Sequence, residues 1–354
     1  NELTMQNVER LAMVVGRWPE VAKLYDAELD KLADTPDRLV ELGSRVAQIY
    51  EMQLEDVESA IARYVRVTEV DPENQNAVSS LDRLYTFTER WTDLAVILAK
   101  EAEIGQTPDD ILSFKFRLGQ VFEKRLSDLD RAIAAYRDVI AAAPEHTETV
   151  EALEALFASG VKQMEIADIL EPLYRQATEW EKLVAVYEAQ LAHTPKEAPP
   201  ADAEGGGGLG GQDDRLAAYY RIAELFEDKI VDPVQTLNTY VRTLKEYPLD
   251  EKASEEAPRL ASGVDGGWEI LANAYADIVG LHEDPIVQAS VGKRLARTFE
   301  EELGDVERAE ETYKYVLTVD PRDTQALENL DRIYVSLESW ANLAQILEMR
   351  VKGP

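Results

Sequence analysis

The chain contains no cysteine. Disulfides, thiolate-held zinc, iron–sulfur clusters and cysteine nucleophiles are therefore excluded, and the redox character of its compartment stays open. Histidine is nearly as scarce. His146, His193 and His282 are the full set, no two of them stand at metal-ligand spacing, and no HExxH motif is present. Positive charge is also in short supply. Lys and Arg total 37 against 69 Asp and Glu, a formal net charge of −32 over 354 residues. A nucleic-acid backbone or an anionic membrane surface needs clustered cations, so neither is expected as a partner. No apolar run nears the roughly 18 residues of a membrane-spanning helix, and strand-like alternation is missing. The hydrophobic share is an ordinary 45%, enough to bury a core.

The motifs of chemistry are missing as well. The Gly205–Gly208 run carries no GKS or GKT, and Asp213 and Asp214 follow it where a phosphate would need a cation. GxSxG is absent, and no segment has the alternating oxygen ligands of a calcium loop. Carboxylate clusters such as Glu300, Glu301 and Glu302 read as a solvated face at this acidity. The chain is expected to be no enzyme and to hold no metal and no cofactor.

What is there is repetition. Five tryptophans, Trp18, Trp91, Trp180, Trp268 and Trp340, open similar phrases such as WTDLAVILAKEAE and WEKLVAVYEAQL, at spacings of 73, 89, 88 and 72. Between them a second phrase occurs four times, as in YEMQLEDVESAIARYVRVTEVDP from Tyr50 to Pro72. In all four copies the step from aromatic to Asp is 6, from Asp to Tyr 8, and from Tyr to Pro 8. The conserved steps place Asp56, Asp128, Asp232 and Asp305, then Tyr64, Tyr136, Tyr240 and Tyr313, then Pro72, Pro144, Pro248 and Pro321.

Within each phrase apolar residues recur at 3 and 4, as in Val57, Ala60, Ile61, Tyr64, Val67 and Val70, which predicts an amphipathic helix. Each Asp stands where a carboxylate caps a helix start, and each Pro stands where a helix must stop. Asn74 and Asp323 are expected to cap the helices that follow. The spacing predicts antiparallel helix pairs of about 34 to 38 residues.

Here the sequence resembles the tetratricopeptide-repeat family. The second-helix pattern of that family is matched by Ala60, Tyr64, Val67, Pro72, by Ala132, Tyr136, Val139, Pro144, and by Ala309, Tyr313, Val316, Pro321; Thr236 and Thr243 replace two of these in the third copy. The first-helix pattern is matched by Leu118, Gly119, Phe122, by Ile222, Ala223, Phe226 and by Leu295, Ala296, Phe299. Two departures stand out. One extra residue lies between the helices of the regular repeats, and the Trp repeats lack a clear small residue at the tight-packing position. The resemblance implies an all-α, right-handed superhelical solenoid of about nine hairpins and roughly nineteen helices. The Trp residues and Tyr64, Tyr136, Tyr240 and Tyr313 are expected to pack the hairpins together.

Two insertions break the regularity. Three helices fit between Pro144 and Trp180, so an extra helix is expected near 163–176, with a change of superhelix direction there and Pro172 as a candidate kink. The second insertion is Pro/Gly-rich and reads as a flexible loop. The expected organisation is an N-terminal array at 1–193, the insertion at 194–213 and a continuing array at 214–354. Both ends fall in the same repeat phase without a polar capping helix, which fits a stretch of a longer array.

The resemblance places partner binding along the first helices. Carried over position by position, the groove is lined by Glu41, Ser44, Gln48, Ser79, Arg83, Phe116, Gln120, Tyr220, Glu224, Lys293, Arg297, Gln325 and Arg332. This lining lacks the Lys and Asn run with which some members clamp a terminal carboxylate. The expected function is a non-catalytic scaffold or adaptor, of a kind known among bacterial repeat proteins, that takes a basic or extended segment of another protein. The alternatives are the helical part of a larger enzyme or regulatory protein, and a peptide-sensing regulator.

Overall fold

The computed structural model describes residues 2–32, 34–196 and 212–351. Among them are nineteen α-helices and no strand. In chain order these are α1 (Glu2–Val15), α2 (Trp18–Leu29), α3 (Pro36–Met52), α4 (Val57–Val70), α5 (Gln75–Phe87), α6 (Trp91–Ile104), α7 (Pro108–Lys124), α8 (Leu129–Ala142), α9 (Thr147–Ala158) and α10 (Gln163–Ala177). Then come α11 (Trp180–His193), α12 (Gln212–Glu224), α13 (Pro233–Glu246), α14 (Glu251–Ala261), α15 (Gly267–Leu281), α16 (Pro285–Arg297), α17 (Val306–Val319), α18 (Thr324–Ser336) and α19 (Trp340–Val351). A π-helical turn extends α12 over Leu225–Ile230 and α16 over Thr298–Glu302. The fold is the expected all-α helical repeat.

The chain divides into two compact units, Asn1–Ile169 and Leu170–Pro354, and the division falls inside α10. In the first unit α3–α4 and α7–α8 are the regular hairpins, with α1–α2 and α5–α6 as Trp hairpins and α9 packed on α8. In the second unit α12–α13 and α16–α17 are the regular hairpins, and α14–α15 and α18–α19 are Trp hairpins. There the end of α10 meets α11 through Glu171, which accepts hydrogen bonds from Tyr187 and Gln190. The sequence-expected insertion at 194–213 lies within the second unit, and its residues 197–211 are outside the described ones.

The six-residue step from aromatic to Asp has a direct physical cause. The N–H groups of Asp56, Asp128, Asp232 and Asp305 reach back to the carbonyls of Tyr50, Phe122, Phe226 and Phe299 at 2.8–2.9 Å. The residue before each Asp turns the chain through the left-handed region: Glu55, Ser127, Val231 and Gly304 have φ between 54° and 67°. The Trp hairpins turn the same way before their second helices, with Glu89 at φ 56° and Thr178 at φ 59°. In the Trp hairpins the reach is one residue shorter, as in Arg90 N–H to Tyr85 and Glu179 N–H to Tyr174, both 2.9 Å. Each Asp side chain then caps its helix, accepting from the backbone of Ser59, Arg131, Gln235 or Arg308 at 3.0–3.1 Å, and Asn74 and Asp323 cap α5 and α18 as expected.

Tyr64, Tyr136, Tyr240 and Tyr313 are all buried at the hairpin centres. The third copy tolerates threonines there because Thr236, Thr239 and Thr243 donate their hydroxyls to carbonyls four residues back, at 2.7–2.9 Å. Four tryptophans are half-buried against the end of the next regular hairpin's first helix. Arg125 stacks on Trp91 at 4.5 Å and Lys229 on Trp180 at 5.8 Å. Trp18 shares a pocket with Met52 and Gln53, and Trp268 shares one with Arg297 and Glu301. Trp340 corrects the packing expectation, being 62% exposed. The helix that covers the other four belongs to the following hairpin, and no such helix follows α19 among the described residues.

Candidate functional site

Side chains spaced by three and four along α3, α7, α12 and α16 share one face of each first helix. Two rows recur on this face. The earlier row holds Ser44, Phe116, Tyr220 and Lys293, and thirty residues on from each is the cap of the next hairpin's first helix. Lys293 pairs with Asp323 at 2.6 Å, Tyr220 donates to Asp250 at 2.5 Å, and the Phe116 and His146 rings lie 5.3 Å apart. The later row is Glu51, Glu123, Glu227 and Glu300, each thirteen residues before a buried tyrosine. Tyr64 donates to Glu51 at 3.3 Å, Tyr136 to Glu123 at 2.6 Å and Tyr313 to Glu300 at 3.4 Å.

A cation from the next hairpin completes this row, thirty-two residues after the glutamate. Arg83 pairs with Glu51, Arg259 with Glu227 at 2.5 Å, and Arg332 with Glu300 at 2.9 Å. The phenols register the arrangement. Burial is the largest cause of the raised pKa of Tyr64, Tyr136 and Tyr313, and the neighbouring glutamate adds to it. Arg83 and Arg332 pull the first and last of these back down, while Tyr136 has no such relief.

A third recurring group faces the preceding hairpin. Arg45, Arg117, Arg221 and Arg294 each stand immediately before the apolar and small residues of the first-helix pattern. Arg45 grips Glu9 through two nitrogens at 2.6 and 3.1 Å, and Arg294 reaches Ser254 Oγ at 2.5 Å. Arg117 holds Asp82 through two nitrogens at 2.7 and 2.8 Å. The buried Glu101 sits beside that pair with its Oε2 unpartnered. Burial first, and then the charge of Asp82, push the Glu101 carboxyl up to about 8.

The sequence-predicted residues fall out as follows. Arg83, Lys293 and Arg332 are on the shared face but already bound to carboxylates of this chain, and Arg297 pairs with Glu301 at 2.8 Å. Phe116 lies against Tyr136, with ring centroids 5.9 Å apart, and Tyr220 is held by Asp250. Gln48 and Glu224 are exposed and Gln120 half-exposed. The glutamate row, Arg259 and the third arginine group were missed. Their signal was present as fixed steps of thirteen and thirty-two and as an arginine before each small-residue motif. Among the described residues no group of three or more His, Asp or Glu is placed to hold a metal, and no helix is long and apolar enough to cross a membrane.

Two tetratricopeptide-repeat family models match the chain, one over residues 115–146 and one over residues 168–201. The first spans the end of α7, all of α8 and the turn to α9; the second takes in the end of α10 and all of α11. No curated protein matches the chain by sequence. Among solved structures, the TPR domain of P58(IPK) is similar over 98% of this chain and 91% of its own, with 12% identity and a TM-score of 0.27. The human IFIT1 dimer with PPP-AAAA is similar over 98% of this chain and 81% of its own, with 13% identity and a TM-score of 0.29. YrrB, described as a TPR protein with an unusual peptide-binding site, is similar over 65% of this chain and 97% of its own, at 13% identity and a TM-score of 0.25.

Proposed function

We propose that this chain, whose residues 115–146 and 168–201 match tetratricopeptide-repeat models, is a non-catalytic scaffold whose first-helix faces receive a basic, extended segment of another protein. One observation carries the choice of a basic partner. Arg83, Lys293, Arg297 and Arg332 are each occupied by a carboxylate of this chain, whereas Glu41, Glu123 and Glu224 meet no cation among the described residues. Among these groove residues the unpaired charge is negative, in line with the net charge of −32. Such a field draws cationic segments in and rejects acidic ones. An extended segment suits a repeat array, since each hairpin offers side chains at a regular step.

A peptide-display selection against the whole chain tests this reading. Enrichment of segments rich in Lys and Arg is expected, with binding lost progressively as salt is raised. Enrichment of acidic or purely apolar segments, or binding indifferent to salt, would overturn it.

A further inference from the structure

Three of the four glutamates of the later row are paired with an arginine of this chain, and Glu123 is paired with none among the described residues. Thirty-two residues after Glu123 stands Ala155. The register is the same locally: α9 packs on α8 as α5 packs on α4. Leu153 and Thr149 of α9 are buried at the places that Leu81 and Ala77 take in α5. Ala155 therefore stands where Arg83 stands, and a methyl group replaces a guanidinium. Glu123 is left partly exposed with the Tyr136 hydroxyl as its partner, and no cation reaches it among the described residues. Phe116, seven residues back on the same helix face and half-exposed, lies against Tyr136 and His146, with ring centroids 5.9 and 5.3 Å away.

We propose that Glu123 and Tyr136, beside Ala155 and Phe116, form a receptor for an arginine side chain of the partner, which takes the place that Arg83, Arg259 and Arg332 fill in the other repeats. The guanidinium donates to the Glu123 carboxylate and its plane has the Phe116 ring to lie against. This deepens the basic-segment reading and rests on it: it names the residue type recognised and the repeat that recognises it.

The test uses the full chain and a fluorescein-labelled twelve-residue peptide of alternating arginine and alanine, followed by fluorescence anisotropy at physiological salt. Glu123→Gln is expected to weaken binding about tenfold, the loss of one charge-assisted pair. Ala155→Arg plugs the receptor from within and is expected to weaken binding as much, while raising the melting temperature by about 1–3 °C. Glu69→Gln, exposed on the second helix α4 and away from the first-helix face, changes the net charge by the same amount as either variant and is expected to alter affinity less than about twofold. Unchanged affinity in both Glu123→Gln and Ala155→Arg overturns the proposal and leaves the basic-segment reading standing. A melting temperature that fails to rise in Ala155→Arg shows that the site rejects a guanidinium and also overturns it. A wild-type chain that does not bind the peptide at all overturns both readings.

Discussion

At the joint of α16, α17 and α18, Glu300 sits between Tyr313 at 3.4 Å and Arg332 at 2.9 Å. At the joint of α7, α8 and α9, Glu123 has Tyr136, at 2.6 Å, and no cation among the described residues. The difference begins one turn earlier on each first helix. Where α16 carries Ala296, α7 carries Gly119, and a Cβ at Gly119 would overlap the Tyr136 ring, lying 2.7 Å from its Cδ1. The missing methyl lets the tyrosine close on Glu123. The two joints are thus one geometry with two ways of satisfying a carboxylate: a shared load on a tyrosine and an arginine, or a single short bond to a tyrosine. The first is self-contained and the second keeps an acceptor face open.

Perturbing the two joints side by side probes that contrast. The largest effect is expected from Tyr136→Ala and Tyr313→Ala, each about 3–5 kcal/mol in chemical denaturation, since both rings are fully buried. Equal losses would show that ring packing is common to both joints. Next comes the pH dependence of the α7 side, where Arg117 faces two carboxylates while Arg294 faces a serine hydroxyl. Glu101, with its folded-state pKa raised to about 8, holds a proton that the unfolded chain gives up near pH 4.3. Stability is then greatest below that value and falls by about 1.4 kcal/mol per pH unit as the pH rises toward 8. Glu101→Gln is expected to flatten this slope in denaturation curves taken from pH 5 to 8; an unchanged slope would place the titration elsewhere.

Tyr136→Phe is expected to cost about 1.5–3 kcal/mol, because Glu123 loses the short hydrogen bond from Tyr136; Tyr313→Phe, with a long bond and an arginine in reserve, is expected to cost well under about 1 kcal/mol. Similar values for the two would erase the distinction drawn between the joints. Gly119→Ala is expected to cost about 1–3 kcal/mol through displacement of Tyr136, and Ala296→Gly only about 0.5–1 kcal/mol. The smallest effect concerns the turn ahead of the second helix. Gly304 takes its positive φ freely, while the β-branched Val231 takes φ 60° at a cost. Val231→Gly is expected to raise stability by about 0.5–1 kcal/mol, readable as a small upward shift in melting temperature.

Much of this fold was legible in the residues. The Asp caps, the proline stops and the buried tyrosines follow from local rules, and they appear where the spacing placed them. The six-residue step is a backbone constraint of the regular hairpins: the cap N–H returns to one particular carbonyl. The candidate site was legible only in outline. The repeat pattern places Arg83, Lys293, Arg297 and Arg332 in the groove, and each is neutralised by a carboxylate of its own chain. The repeat pattern makes Trp340 a packing residue, yet it is exposed, and no covering helix follows α19 among the described residues.

The sequence by itself determined the hairpins, because helix periodicity, capping and proline act within a few residues of one another. Only the tertiary structure decided which charges remain to be satisfied. Glu51, Glu227 and Glu300 are closed by arginines thirty-two residues away, and Glu123 is not, because an alanine occupies that place on α9. Charge neutralisation is a matter of distance in space, and only the stacking of one hairpin on the next brings those positions within a few ångströms.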